Sequence, residues 1–391
     1  MIARLWYEGD TIFGTPGRKK NMKGLPSKMA AVVLTGHGGL DKLVYCEDFP
    51  VPDPTPGEVL IEVAACGLNN TDVWVRQGAY GTDENPDAVA SWRRNASQET
   101  LTFPRVQGTD SVGTIVGAGS DVSAERLGER VMVDFSIYND DGDSLADIDY
   151  IGHGRDGGFA EYLVVPDENA HVVDNDLTDA ELATFCCAYL TGEHMLDRAQ
   201  VQAGERVLIT GASGGVGSGL IQLCRARGAI PYAITSRAKL KAVKALGAEA
   251  VIDRNSPDLI DAAHHALEGH AVDVVADLVA GTLFNSLLQL LRPEGRYTTA
   301  GAIGGPVVQL DLRTIYLKHL AIHGSSQGTR GAFKRLMHYI NTGKIKPILD
   351  SQFKLSDFHR AQTYFMEKHF VGKIVVVPDS RWSGSVAARK K

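Results

Sequence analysis

Two rhythms of apolar positions divide the chain. From Met29 to about Pro166 the apolar residues come in short runs separated by glycine, proline and polar turns: Ala30–Leu34, Val59–Val63, Gly113–Val116, Arg130–Val133, and a turn and strand over Gly157–Val165. Runs of this length predict a compact, irregular β barrel. After Val207 the rhythm changes. Val207–Thr210, Tyr232–Thr235, Ala250–Ile252, Val272–Leu278 and Arg296–Ala300 read as strands, with Leu320–His323 as a sixth. Between them lie stripes at helical spacing: Leu220, Ile221 and Leu223, then Leu240, Val243 and Leu246, a helix opened by Ser256 as N-cap with Pro257 behind it, and Leu283–Leu291. Strands alternating with helices predict a doubly wound parallel sheet. The stretch Gly343–Pro378 returns to the first rhythm and closes on the strand Lys373–Val377. The expected class is therefore α/β. A β-rich domain of two segments, 29–188 and 330–391, accepts a parallel-sheet domain over 189–329.

The link between the first parallel strand and its helix is Gly211-Ala212-Ser213-Gly214-Gly215-Val216-Gly217. Strand, glycine turn and helix in that order open a dinucleotide-binding unit. Gly211 permits the tight turn, Gly214 and Gly215 admit a pyrophosphate to the backbone, and Gly217 lets helix and strand approach. The helix N-terminus, with Ser213 and Val216 beside it, presents N–H groups and a positive dipole end to phosphate. An NAD site ordinarily places an acidic residue about 20 positions further on. Between Glu205 and Glu249 this chain has none, and Ser236, Arg237, Lys239 and Lys241 stand at the end of the second strand instead. A guanidinium fork and a hydroxyl suit a 2′-phosphate, so the expected cofactor is NADPH.

Charge and cysteine content narrow the setting. A formal net charge of −7 argues against a nucleic-acid or membrane-surface role. No apolar run approaches the ~18 residues needed to span a bilayer. The five cysteines include no CxxC pair, which argues against a disulfide framework and fits a reducing cytoplasm. Residues 1–28, rich in Gly, Lys and Arg, are expected to be a flexible extension.

The run Gly204-Glu205-x-x-Leu208-x-x-x-Ala212-Ser213-Gly214-Gly215-x-Gly217-x-x-x-x-Gln222-x-x-Arg225 resembles the signature of the medium-chain dehydrogenase/reductases, in their quinone oxidoreductase and zeta-crystallin branch. Pro56-Gly57-Glu58, Gly157-Gly158-Phe159-Ala160-Glu161-Tyr162 and Gly372-Lys373-Ile374-Val375 agree with it. The resemblance implies a GroES-like catalytic domain, an inserted Rossmann domain, a cleft between them, and homodimers paired through the Rossmann sheet edge. Zinc-dependent members hold their metal at three positions that fall here on Asn69, Thr109 and Cys187. One thiol without a histidine cannot form the open three-ligand site, so no metal is expected.

Zinc-free members place an amide and a phenol at the active site, which correspond to Asn69 and Tyr80, with Trp74 on the pocket wall. Asp72 and Arg76 read as a structural pair on the same segment. The insertion 81–102 carries Trp92, Arg93 and Arg94 and would border the substrate. The resemblance also points to Thr191, Gly301, Ala302 and Ser325 at the nicotinamide end, Arg254 by the adenine ribose, and Lys368 by the 2′-phosphate. The expected activity is NADPH-dependent, zinc-independent reduction of a small quinone or α,β-unsaturated carbonyl. Enoyl-thioester or acrylate reduction, carbonyl reduction of the alcohol dehydrogenase kind, and a non-catalytic NADPH-binding role stay open as alternatives.

Overall fold

The computed structural model describes residues 24–80, 101–139, 142, 144–145 and 148–384. The expected substrate residues Trp92 and Arg93, with Arg94, lie outside the described residues, as do positions 1–23 of the expected extension.

The catalytic domain is organised on the strand Glu58–Gly67, whose residues are nearly all buried. In the sheet that contains it the order is Ala170–Val172, Arg130–Val133, Asp110–Ala118, Glu58–Gly67, Lys373–Val377 and Leu349–Lys354, and Tyr162–Pro166 also pairs with Glu58–Gly67. Both ends of the sequence thus enter one sheet. Gly67 lies opposite Asp110 on one side and opposite Val375 on the other, so this register brings three distant stretches together at the end of one strand. A smaller sheet joins Lys28–Leu34 to Leu43–Pro50 and Arg105–Val106.

The second domain holds six parallel strands in the order Ala250–Asp253, Ile230–Thr235, Arg206–Ile209, Val272–Asp277, Leu291–Thr299 and Ala321–Gly324. The order reverses between Arg206–Ile209 and Val272–Asp277, and ligands of such sheets bind in the crevice beyond the carboxyl ends of the strands at that point. The glycine turn occupies this place. Opposite it, the buried Asp277 carboxylate closes the end of its strand by accepting from Val279 N at 2.9 Å and Ala280 N at 3.0 Å, and from the Thr210 and Tyr297 hydroxyls. The helix Cys186–Arg198 spans the expected domain boundary. Its Tyr189 and Leu190 belong to one continuous core that runs from the barrel residues Ile61 and Val131 to Leu220 and Leu223 of the glycine-turn helix.

Three local expectations are corrected. The fifth parallel strand begins at Leu291, five residues early, because Arg292–Gly295 forms an irregularity within a paired strand: Leu291 lies opposite Val272, Arg296 opposite Val274, and Glu294 takes φ 62°. The helix Leu259–Ala266 is capped by Asp258, not Ser256. The Asp258 carboxylate accepts from Asp261 N at 2.9 Å, a geometry that leaves Pro257 outside the first turn. Asp72 and Arg76 do not pair. Asp72 turns back to accept from Asn69 N at 2.7 Å, while Arg76 donates from Nε to Gln362 Oε1 at 2.9 Å and from NH1 to Gly38 O at 2.5 Å. Among the described residues no helix is long and apolar enough to cross a membrane.

Gly217 is required by contact rather than by its backbone angles. A Cβ at Gly217 would be driven into Gly211 O and Ala212 Cα, both main chain, so the neighbour cannot swing aside. Gly217→Ala is expected to lower stability by about 2 kcal/mol or more, measured by urea unfolding. An unchanged midpoint would show that the turn has room that this packing denies.

Candidate active site

The glycine-turn helix, Gly215–Ala226, begins at Gly214, which has no side chain to cap the first N–H groups. Those groups face outward at the switch point, and a Cβ at Gly214 would meet nothing nearer than Gly211 O at 3.5 Å. An uncapped helix start with open space before it is a cradle for a phosphate. Gly211 takes φ 56°, a left-handed conformation that suits glycine and makes the tight turn. Gly215 differs from the expectation of a bare phosphate contact. A Cβ there would lie 2.7 Å from Lys373 Cδ, so this glycine also admits a lysine from the catalytic domain.

That lysine is the centre of the site. Lys373 is buried, and its ammonium donates to Leu68 O at 2.7 Å, Asn69 Oδ1 at 2.6 Å and Asp110 Oδ2 at 2.7 Å. Asn69 Nδ2 donates to Thr109 Oγ1 at 3.1 Å, and Thr109 Oγ1 donates to Asp110 Oδ1 at 3.2 Å. Lys373, Asn69, Thr109 and Asp110 therefore form a closed ring of buried polar side chains. The other side of Asp110 is held by Cys187 N, which donates to Oδ1 at 2.8 Å. Burial alone would push the Lys373 ammonium toward the neutral form, but the charge of Asp110 and its hydrogen bond outweigh burial and raise its pKa.

Local structure fixes the place of Asn69. It is the N-cap of the helix Asn70–Arg76 in extended backbone and forms a capping box with Asp72. The Asp72 carboxylate accepts from the Asn69 N–H at 2.7 Å, which holds the Asn69 backbone beside the ring. Burial pushes the Asp72 carboxyl up to about 7. Tyr80 lies at the end of the same segment, half-buried, with its ring 5.7 Å from that of Trp74. Burial first, and then the neighbouring Cys187 and Asp72, raise the Tyr80 phenol, so it stays protonated at neutral pH. Thr191 is buried one helical turn beyond Cys187 on the same helix.

The residues expected around the cofactor divide into three groups. Ser236, Arg237 and Arg254 come together at the carboxyl ends of two adjacent strands, where Arg254 N donates to Thr235 O at 2.8 Å. Arg237 is 85% exposed and donates from Nε to Asp253 Oδ2 at 2.8 Å, an exposed ion pair of the kind that contributes little and exchanges readily. Lys241 is exposed on the following helix. Lys239 is used differently: its ammonium donates to Lys368 O at 2.6 Å and Phe370 O at 2.7 Å, clasping the segment before Lys373 to the parallel-sheet domain. Lys368 sits in the left-handed region at φ 56°, with Nζ donating to Asn70 Oδ1 at 2.8 Å. Burial, then the Lys373 and Lys239 ammoniums, push it down to about 7. Gly301 and Ala302 follow the fifth strand. Ser325 follows the sixth, its N–H donating to Thr299 O at 2.8 Å and its buried hydroxyl without a partner among the described residues.

Residues 55–175 match the family described as the alcohol dehydrogenase GroES-like domain, and residues 215–342 match the zinc-binding dehydrogenase family. The crystal structure of a proposed alcohol dehydrogenase from Sinorhizobium meliloti 1021 is 66% identical and superposes with a TM-score of 0.88 over 92% of this chain and 99% of its own. The protein belongs to the medium-chain dehydrogenase/reductase superfamily. The human synaptic vesicle membrane protein VAT-1 homolog is 29% identical over 90% of this chain and 86% of its own length. The NADPH-dependent alkenal/one oxidoreductase of Arabidopsis thaliana chloroplasts is 29% identical over 90% and 81%. Membership makes the protein an oxidoreductase with a GroES-like domain and a Rossmann domain, in a superfamily that binds nicotinamide cofactors.

The uncapped turn and the orphaned Ser325 hydroxyl fit a dinucleotide. The residues at the zinc positions of the superfamily do not fit a zinc ion. Asn69 directs its oxygen to an ammonium 2.6 Å away, and a cation in place of that acceptor would face Lys373. The Thr109 hydroxyl has both its donor and acceptor roles engaged in the ring. Burial and the charge of Asp110 push the Cys187 thiol up to about 12, so beside this ring it stands as a neutral packing group. Sequence reasoning placed Lys373 in a closing strand and in a family mark, and not in the site. The signal was a lysine leading a run of four apolar residues, a position where a charge is buried only if it has partners.

Proposed function

We propose that this oxidoreductase uses NADPH, without zinc, to reduce a quinone or an α,β-unsaturated carbonyl. The observation that supports this most directly is the ring: the superfamily's first metal position carries an amide whose oxygen is held by an ammonium, so the amide offers N–H rather than a metal to a substrate oxygen. When bound, NADPH supplies the hydride. The chain's own residues would hold it by the N–H groups of Gly215, Val216 and Gly217 beside Ser213, by Ser236, Arg237, Lys241 and Arg254 on the 2′-phosphate side, and by Thr191, Gly301, Ala302 and Ser325 at the nicotinamide.

As hydride reaches the β-carbon of an enone, the electron pair moves onto the carbonyl oxygen. Asn69 Nδ2 donates to that oxygen as its charge grows, and a protonated Tyr80 donates beside it. The proton that completes the reduced product comes from Tyr80 or from water. Trp74, packed on Tyr80, holds the phenol in place and forms an apolar wall.

Lys368 adds a pH dependence to cofactor choice. Its amine is charged below about 7 and neutral above, and only the charged form attracts a 2′-phosphate. The subunit is proposed to pair with a second copy through the free edge of the six-stranded sheet. The chain leading into the edge strand Ala321–Gly324 carries exposed apolar residues, Val307 at 90%, Leu317 at 69% and Leu312 at 67% exposure among them. The five unpaired cysteines support a reducing cytoplasm as its setting.

NADPH oxidation by EDTA-dialysed protein is expected with a quinone or an enal, and faster than with an enoyl-thioester. Activity restored only by added zinc would overturn the zinc-free reading, and NADPH binding without any turnover would overturn the reductase. The preference for NADPH over NADH should weaken as pH rises through about 7, and Lys368→Met should flatten that profile; a preference that is pH-independent in the parent protein removes Lys368 from the phosphate site. Sedimentation equilibrium should show a dimer that Val307→Asp combined with Leu317→Asp converts to monomer, whereas a dimer retained by the double variant would place the interface elsewhere.

A further inference from the structure

The three hydrogens of the Lys373 ammonium are all committed, to Leu68 O, Asn69 Oδ1 and Asp110 Oδ2. An ammonium has three donors and no acceptor, so none remains for a substrate. Lys373 therefore cannot itself be the acid or the oxygen-binding group. Every direction around the ring is also fixed. A carboxylate only accepts, so the Thr109 proton points to Asp110 Oδ1, and Thr109 Oγ1 must accept from Asn69. The amide end facing Thr109 is then nitrogen, and the end facing Lys373 is oxygen. One Asn69 N–H is held by Thr109. Among the described residues the other has only Gly67 O, at a long 3.5 Å, and is the donor left over.

We propose that Lys373 is a positioning residue: by closing the ring Lys373–Asn69–Thr109–Asp110 it locks the orientation of the Asn69 amide, oxygen inward and N–H outward, and polarises that N–H toward the substrate oxygen. An amide whose oxygen accepts from a cation draws electron density from its nitrogen, so the ammonium acts through the amide as a remote positive charge. The ring also spans the domains, because the Lys373 methylenes pack on Gly215 of the glycine turn. This inference rests on the reading of Asn69 as the group that meets the developing oxyanion.

The test is a double-mutant cycle with Asn69→Ala and Lys373→Met, since methionine keeps the packing on Gly215 and removes the charge. With an enone and NADPH, Lys373→Met is expected to lower kcat by about tenfold or more while the NADPH Kd, read by its fluorescence, stays within about twofold. The double variant should be no slower than Asn69→Ala alone. Multiplying losses would show that Lys373 acts independently of Asn69 and would overturn the proposal. A readout independent of activity is the side-chain amide resonance of Asn69, assigned by its absence in Asn69→Ala. It should be shifted and slow to exchange with solvent in the parent protein, and should return to ordinary asparagine values in Lys373→Met. Thr109→Val opens the same ring without touching the charge and serves if Lys373→Met fails to fold. An amide signal unmoved by a folded variant of either kind refutes the lock. Absence of enone turnover in the parent protein with the amide signal behaving as expected would instead refute the proposed reaction.

Discussion

A lysine ammonium buried at the junction of two domains is the constraint around which this site is built. Removing such a charge from water costs several kcal/mol unless it is neutralised and every donor finds an acceptor. Lys373 meets both conditions only because three separate stretches converge on it: the end of the strand Glu58–Gly67, the start of Asp110–Ala118, and its own strand. The strand registers around Gly67 supply that convergence. The polar ring is thus a product of sheet register, and the catalytic domain must be closed by its C-terminal strand before Asn69 acquires its orientation.

The same logic orders the rest of the site. Asp72 holds the Asn69 N–H at the helix start, and Cys187 N gives Asp110 a further donor, which ties the helix Cys186–Arg198 to the ring. Because that helix packs on the glycine-turn helix through a shared apolar core, the barrel and the parallel sheet are braced against each other by both polar and apolar contacts. Cysteine chemistry is suppressed here as a side effect. Burial holds Cys66, Cys186 and Cys187 as thiols, so they behave as small packing groups.

Much of the fold was legible in the sequence because it depends on local signals. Six parallel strands, the glycine turn and the return of the C-terminal segment to the first domain all follow from apolar periodicity and glycine placement. Errors occurred where two local signals compete. Ser256 and Asp258 are both good caps, and only the carboxylate that reaches Asp261 N decides between them. Arg292-Pro293-Glu294-Gly295 looks like a helix stop, yet the backbone passes through it inside a strand. The candidate site was less legible. Asn69 and Tyr80 could be named from their segment, whereas Lys373 and Asp110 acquire meaning only through pairing across 263 positions. The spacing i, i+4 suggested that Asp72 would meet Arg76, but each has a stronger partner elsewhere.

Gly215 and Asn69 belong to different domains, one to the proposed cradle for the dinucleotide and the other to the wall proposed to meet the substrate. Between them lies a single side chain, packed at its methylenes on the first and bonded at its tip to the second. The separation of the two is therefore gauged by the outer part of the lysine side chain, from Cδ to Nζ. With the Lys239 clasp holding the preceding carbonyls, this gauge is anchored at its base as well. Whatever the cleft admits, the reach from glycine turn to amide is set by this one side chain.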